Sequence, residues 1–169
     1  MIIKVSELPE EGLVLQDPRE FAAPFADASW SLDAVSLHLE PDGREVLVSG
    51  DIQVTVPLTC GRCLESFPAQ VRAVVDLRFA PRPVASERVE LGKNDLDVDF
   101  YLNDQLDVSR VLETETSLAL PMKPLCREDC RGLCTVCGGN RNVVVCRCEE
   151  QRTDPRLAVL RDLTTRHVR

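Results

Sequence analysis

Over the first half of the chain hydrophobic residues recur at every second position, the period of half-buried β-strands. Residues 2–8 read as a short first strand ending at Pro9, and Asp17-Pro-Arg-Glu-Phe-Ala-Ala as a brief helical or looped excursion. From Ser31 to Glu40, Leu32, Ala34, Val35, Leu37 and Leu39 alternate imperfectly, and Pro41-Asp42-Gly43 then supplies a turn. Val46, Val48, Gly50, Ile52, Val54 and Val56 share one parity over a long second strand, with Leu47 on the opposite face. These two segments form a hairpin. Pro57 leads into Cys60-Gly61-Arg62-Cys63, after which Val71, Ala73, Val75, Leu77 and Phe79 alternate again. The order strand, cysteine turn, strand puts Cys60 and Cys63 at a hairpin tip.

Residues 81–95 hold Pro81, Pro83 and mixed charge without periodicity, and read as a loop or linker. Asp95, Asp97 and Asp99 imitate the opening of a calcium loop, but Phe100 and Leu106 stand where that loop requires glycine and glutamate. Leu96, Val98, Phe100 and Leu102 instead predict a strand with an acidic outer face. Asp107 can cap a helix from about Val108 to Leu120, with Val111, Leu112, Glu115, Leu118 and Ala119 on its apolar side and Pro121 as its stop. Asp154-Pro155 starts a last helix with a narrow Leu157, Leu160, Leu163 stripe. The fold class expected is α+β: an antiparallel sheet or partly open barrel-like body, one or two helices, and a C-terminal cysteine-rich, zinc-ribbon-like segment. The divisions expected are a mainly antiparallel body over 1–122 with its helix near 108–120, a metal-binding segment over 123–150 and a C-terminal helix over 151–169.

Charge divides along the same boundary. Residues 1–122 carry ten basic and twenty-two acidic side chains, net −12, whereas residues 123–169 carry ten basic and six acidic, net +4. An anionic partner is therefore approached by one part and repelled by the other. The N-terminus has neither a basic stretch nor a long apolar run, which predicts no signal peptide, no membrane span and a cytoplasmic location. Thiols stay reduced there, so clustered cysteines are expected to hold metal rather than disulfides.

Eight cysteines fall in two clusters, Cys60-x2-Cys63 and Cys126-x3-Cys130-x3-Cys134-x2-Cys137-x8-Cys146-x-Cys148. Two C-x2-C turns with further cysteines close by form the pattern of tetrahedral thiolate sites, most often zinc. Spacing groups Cys134, Cys137, Cys146 and Cys148 in one compact quartet, leaving Cys60 and Cys63 to join Cys126 and Cys130. A rival grouping takes Cys126, Cys130, Cys134 and Cys137 together and leaves the others redox-active or paired. One or two structural zinc ions are the expected cofactor. The bacterial iron–sulfur run C-x2-C-x2-C-x3-C is absent, and a redox C-x-x-C belongs at a helix start rather than a hairpin tip. His38 and His167 are isolated, and no Walker loop, G-x-S-x-G or H-E-x-x-H occurs, so the chain reads as non-enzymatic, with no small-molecule substrate.

The segment Cys60-Gly-Arg-Cys63-Leu-Glu-Ser-Phe67 resembles the C-x-R-C-L-E-x-F signature of the bacterial YceD family, the large ribosomal RNA subunit accumulation proteins. The likeness continues through Leu106-Asp-Val-Ser, Leu118-Ala-Leu-Pro-Met-Lys-Pro-Leu-Cys126, Cys130-Arg-Gly-Leu-Cys134, Cys137-Gly-Gly-Asn-Arg-Asn142 and Cys146-Arg-Cys148, spanning about residues 45–165. Thr135 replaces the family's usual proline and Arg141 its common leucine, and neither change removes a ligand. The resemblance implies a ribosome biogenesis factor whose partner is a large-subunit ribosomal RNA precursor or an assembling ribosomal protein. On that reading Arg127, Arg131, Arg141 and Arg147 contact phosphates, or Asp95, Asp97, Asp99 and Asp104 display acid to a basic ribosomal protein. The competing expectation is a thiol redox sensor with a releasable zinc site.

Overall fold

Alternating apolar residues build the sheet from which the cysteine turns project. The computed structural model describes residues 1–82 and 98–148. The readings of residues 83–97, which include Leu96, Asp95 and Asp97, and of the helix over 151–169 lie outside the described residues. Strands β2 (Leu13–Leu15), β3 (Ser31–Asp42), β4 (Glu45–Thr59), β5 (Ser66–Pro81) and β6 (Val98–Tyr101) form one open sheet in that order. A second, two-stranded sheet pairs β1 (Ile2–Lys4) with β7 (Gln105–Asp107), which leads directly into helix α1 (Val108–Ala119). Alternation in β3, β4 and β5 turns Val35, Leu37, Leu39, Val46, Val48, Ile52, Val54, Val56, Val71, Ala73 and Val75 into one buried core. Val108, Val111 and Leu112 of α1 close that core from above, joined by Phe21 and Phe25 from the β2–β3 connection.

The irregular alternation of β3 has a structural cause. Its pairing with β4 slips between Leu32 and Ala34, and such a bulge inverts the parity of everything beyond it. The β3–β4 reversal falls at Gly43-Arg44, one residue later than the sequence suggests, and only Gly43 takes a positive φ, 63°. That is the sign pattern of a II′ hairpin turn, whose twist matches the flanking strands.

Three other expectations are corrected. The first strand stops at Lys4, because a 3-10 turn over Val5–Glu7 follows and the Val5 amide donates to the Asp104 carbonyl at 3.0 Å. Strand β6 runs parallel, not antiparallel, to β5; Asp99 is exposed and Val98 partly buried as expected, but the alternation breaks at the next two residues. Phe100 and Leu102 are half exposed, while Tyr101 packs on the core and donates its hydroxyl to the Arg44 carbonyl at 2.7 Å. On α1, capped by the Asp107 carboxylate as expected, Leu118 is 75% exposed and Thr116 is buried in its place. At 100° per residue Leu118 stands about 20° from buried Val111, seven residues earlier, so its place in the last turn rather than its face exposes it.

Candidate metal centres

The β4–β5 hairpin extends past the core and ends in Cys60-Gly61-Arg62-Cys63. The Leu64 amide donates to the Cys60 carbonyl at 3.0 Å, and the Cys60 amide to the Glu65 carbonyl at 2.9 Å. The turn at Cys134-Thr135-Val136-Cys137 repeats the arrangement: the Gly138 amide donates to the Cys134 carbonyl at 2.9 Å and the Cys134 amide to the Gly139 carbonyl at 2.8 Å. In both turns the residue after the second cysteine is left-handed, with φ of 60° at Leu64 and 71° at Gly138. Glycine meets that requirement without strain; a leucine there costs roughly 1 kcal/mol.

The structure brings Cys60, Cys63, Cys126 and Cys130 into one group and Cys134, Cys137, Cys146 and Cys148 into another, with all sulfurs of a group within 4.8 Å of one another. In the first group Cys60 and Cys130 sulfurs are 3.7 Å apart, as are those of Cys63 and Cys126. That separation is far beyond a disulfide bond. Four sulfurs placed tetrahedrally at about 2.3 Å from a metal define edges of about 3.8 Å, so the spacing fits an ion at the centre. Either group could hold a metal ion.

The two groups differ in shelter. Cys60, Cys63 and Cys130 are buried and form a small satellite core with Phe67, Leu125 and Cys126. In the second group Cys134 is buried but Cys137 and Cys148 are exposed.

Metal-free, each group divides its protons unequally. Backbone hydrogen bonds from Cys126 and Cys63 pull the Cys60 thiol down to about 6, and those from Cys137 and Val136 do the same for Cys134. Burial and the neighbouring sulfurs push Cys126 up to about 12, and the Cys137 sulfur with burial does so for Cys148. Cys130 is raised by burial but pulled down further by the Asn142 carboxamide and the Gly132 amide, and ends below the usual thiol value. Sulfurs this close cannot all ionise without a cation, and a cation at the centre removes that conflict.

Side chains outside the cysteines lock the groups together. The Arg62 guanidinium donates to the carbonyls of Glu128 at 3.1 Å and Cys130 at 3.0 Å, and its own carbonyl accepts from the Leu133 amide at 3.1 Å. The Asn142 Oδ1 accepts from the Arg131 amide at 2.8 Å and from Arg127 at 2.7 Å, while its Nδ2 lies 3.3 Å from the Cys130 sulfur. Asn140 accepts from Asn142 and donates to Glu65 at 3.3 Å. None of Arg62, Glu65, Asn140 and Asn142 follows from sequence reasoning as a site residue. The Asn140-Arg-Asn142 pair beside a glycine turn is an Asx-turn signal, but its partners lie far off in sequence.

The expected contact residues are placed unevenly. Arg127 is occupied by Asn142 and by Asp129 at 3.4 Å, whereas the side chains of Arg131, Arg141 and Arg147 are exposed. Asp99 is exposed, but Asp104 accepts hydrogen bonds from the Ser6 amide and hydroxyl and pins the N-terminal turn.

The chain is a sheet-dominated α+β protein in which a hairpin tip and the segment after α1 together form two four-thiol groups that could each hold a metal ion. The chain belongs to the YceD family, described as large ribosomal RNA subunit accumulation protein, whose sequence profile matches residues 48–164. An uncharacterized protein of Mycobacterium leprae is 29% identical over 129 residues, covering 76% of this chain and 58% of that protein. An uncharacterized protein of Mycobacterium tuberculosis is 30% identical over 104 residues, covering 62% of this chain and 49% of that protein. The Zea mays protein named large ribosomal RNA subunit accumulation protein YCED homolog 1, chloroplastic, is 24% identical, covering 79% of this chain and 57% of its own. The chain thus spans about half the length of the curated relatives it matches. No solved structure matches it. Among the described residues no helix is long and apolar enough to cross a membrane.

Proposed function

We propose that this chain is a non-enzymatic, cytoplasmic ribosome biogenesis factor that supports accumulation of large-subunit ribosomal RNA, with one structural zinc ion in each four-cysteine group. The observation that carries the reading is the pair of closed four-sulfur groups within the family-matched region. Four thiolates fill a tetrahedral shell and leave no position for an activated water, so the metal supplies shape rather than chemistry. The sheet body then acts as a scaffold, and the stapled segment carries Arg131, Arg141 and Arg147 toward a large-subunit precursor, either its RNA or an assembling ribosomal protein.

Two measurements test this. Elemental analysis of protein purified without chelator is expected to give two zinc ions per chain and no freely reactive thiol; absence of metal sinks the structural part. Depletion of the protein in its host is expected to lower large-subunit relative to small-subunit ribosomal RNA, with rescue by wild type but not by a Cys60→Ser, Cys63→Ser variant. Unchanged ribosomal RNA ratios on depletion refute the biogenesis role.

A second reading draws on the exposure of Cys137 and Cys148. Peroxide would take two electrons from a pair of these thiolates, forming a disulfide and water and releasing the ion, as in a redox sensor. Graded peroxide treatment with zinc-release and thiol counts separates the readings. A static scaffold keeps both ions at concentrations that leave ordinary protein thiols reduced.

A further inference from the structure

The two metal groups are not independent neighbours, because one carboxamide bridges them. Asn142 belongs to the loop between Cys137 and Cys146, two sulfurs of the second group, yet its Nδ2 lies 3.3 Å from the sulfur of Cys130 in the first. That loop is fixed by backbone contacts: Arg141 N–H to the Gly132 carbonyl at 2.8 Å, and Val143 and Val144 N–H to the Asn140 carbonyl at 3.0 and 2.9 Å.

The orientation of the carboxamide is decided by its surroundings. Its oxygen faces two donors, the Arg127 guanidinium and the Arg131 amide, while its nitrogen faces two acceptors, the Cys130 sulfur and the Asn140 Oδ1 at 2.8 Å. A flipped amide would set donor against donor and acceptor against acceptor at all four contacts. The side chain is thus saturated, with one hydrogen committed to a buried sulfur of the other group.

We propose that Asn142 is the positioning residue through which the second four-cysteine group sets the metal affinity of the first. The inference rests on the zinc reading above. A thiolate that accepts an N–H bond is a better-stabilised ligand, and outer-shell partners of this kind are worth about 10- to 100-fold in metal affinity. Closing the second group around an ion holds the 137–146 loop in place and so presents the donor to Cys130. Loading of either group therefore raises the affinity of the other by the same factor, as linkage requires. The chain loses its metal as a pair rather than one ion at a time.

The test uses the full chain loaded with zinc for chelator competition and with cobalt for spectroscopy. Metal content of the wild type is measured first: if it binds none, the zinc reading fails and this inference with it. Two variants then separate the functions of the carboxamide. Asn142→Asp keeps the acceptor oxygen for Arg127 and Arg131 but has no N–H for sulfur, and Asn142→Leu is neutral and has neither. Both are expected to lower the affinity of the first group about tenfold. Both should also move the sulfur-to-cobalt charge-transfer band to lower energy, since an N–H bond lowers the energy of the sulfur lone pair. Loss in Asn142→Asp alone would trace the effect to added charge, and loss in Asn142→Leu alone to the grip on Arg127 and Arg131; either result overturns the proposal. A Cys146→Ser, Cys148→Ser chain, which empties the second group, should show the same loss at the first. Adding Asn142→Leu to it should then change nothing further. Additive losses, or a first group indifferent to the second, overturn the coupling.

Discussion

Gly132 and Gly138 provide an internally controlled test of how tightly the hairpin tip is docked on the cysteine segment. Both are left-handed, with φ of 70° and 71°, so an alanine at either carries the same backbone penalty, about 1 kcal/mol. Their surroundings differ. A Cβ on Gly138 meets nothing within 4 Å, whereas one on Gly132 lands 3.0 Å from the Arg62 carbonyl oxygen and 3.3 Å from its Cβ. Arg62 cannot yield freely, because its carbonyl holds the Leu133 amide and its guanidinium holds the carbonyls of Glu128 and Cys130. Displacing it weakens one or two of those hydrogen bonds, each worth about 1 kcal/mol net.

Gly138→Ala is therefore expected to destabilise the metal-bound state by about 1 kcal/mol, and Gly132→Ala by about 2–3 kcal/mol. The difference corresponds to about 5- to 30-fold in metal retention. Chelator competition on the two purified variants, with thermal melting in parallel, reads it directly. Equal losses in the two variants would refute the claim that the hairpin and segment are locked through Arg62.

Three further outcomes follow from burial, clash and proton count. Leu112→Ala should cost about 2–5 kcal/mol in urea unfolding, because the side chain is fully buried, while Leu118→Ala in the exposed last turn of α1 should stay within about 0.5 kcal/mol. Gly50→Ala, at φ 146° with its Cβ 1.9 Å from the Ser36 carbonyl oxygen, should force β3 and β4 apart and cost more than about 4 kcal/mol, read as loss of soluble protein and of the cooperative urea transition. Cys126 and Cys148 sit up at about 12 without metal, so both are protonated near neutrality and must release protons to bind. Zinc affinity should accordingly rise from pH 6 to pH 8, with protons released in a weakly buffered titration.

What could be read from the residues, and what could not, has a consistent physical origin. Strands β4 and β5 were legible because one buried face over many residues leaves a single register, and the thiol turn between them followed from chain order alone. The partition of the cysteines was suggested by spacing, since the sulfurs of Cys134, Cys137, Cys146 and Cys148, separated by one to eight residues, close small loops. Strand β6 was misjudged in direction and at Phe100 and Leu102, because alternation encodes neither a strand's partner nor that partner's direction. Leu118 was misplaced because apolar spacing cannot say how far along the helix the core will reach. Asn142 and Arg62 were invisible as site residues because their value lies in contacts across 12 to 68 positions of sequence.

The electrostatics narrow which partner the proposed scaffold can hold. The body over residues 1–122 has a surplus of twelve negative charges, and several of its few cations are already spent on that body's own acids. Lys4 pairs with Glu7, Arg72 with Asp51 and Arg78 with Glu45. Residues 123–169 are basic before metal binds, net +4, of which the cysteine segment over 123–150 holds only +1; a zinc held by four thiolates carries about −2, so two would offset the whole +4. Arg127 is spent on Asn142 and Asp129, which leaves Lys123 and the exposed Arg131, Arg141 and Arg147 as cations of the stapled segment among the described residues. Three phosphate contacts on so acidic a chain make a weak grip on RNA by themselves, whereas a basic ribosomal protein meets an attractive field over the whole body. Cofractionation with large-subunit precursors should then persist when Arg131, Arg141 and Arg147 are all changed to alanine, and should weaken when acidic residues of the body such as Asp76 and Asp99 are neutralised. The opposite pattern, loss with the arginines and indifference to the acids, would assign the contact to RNA.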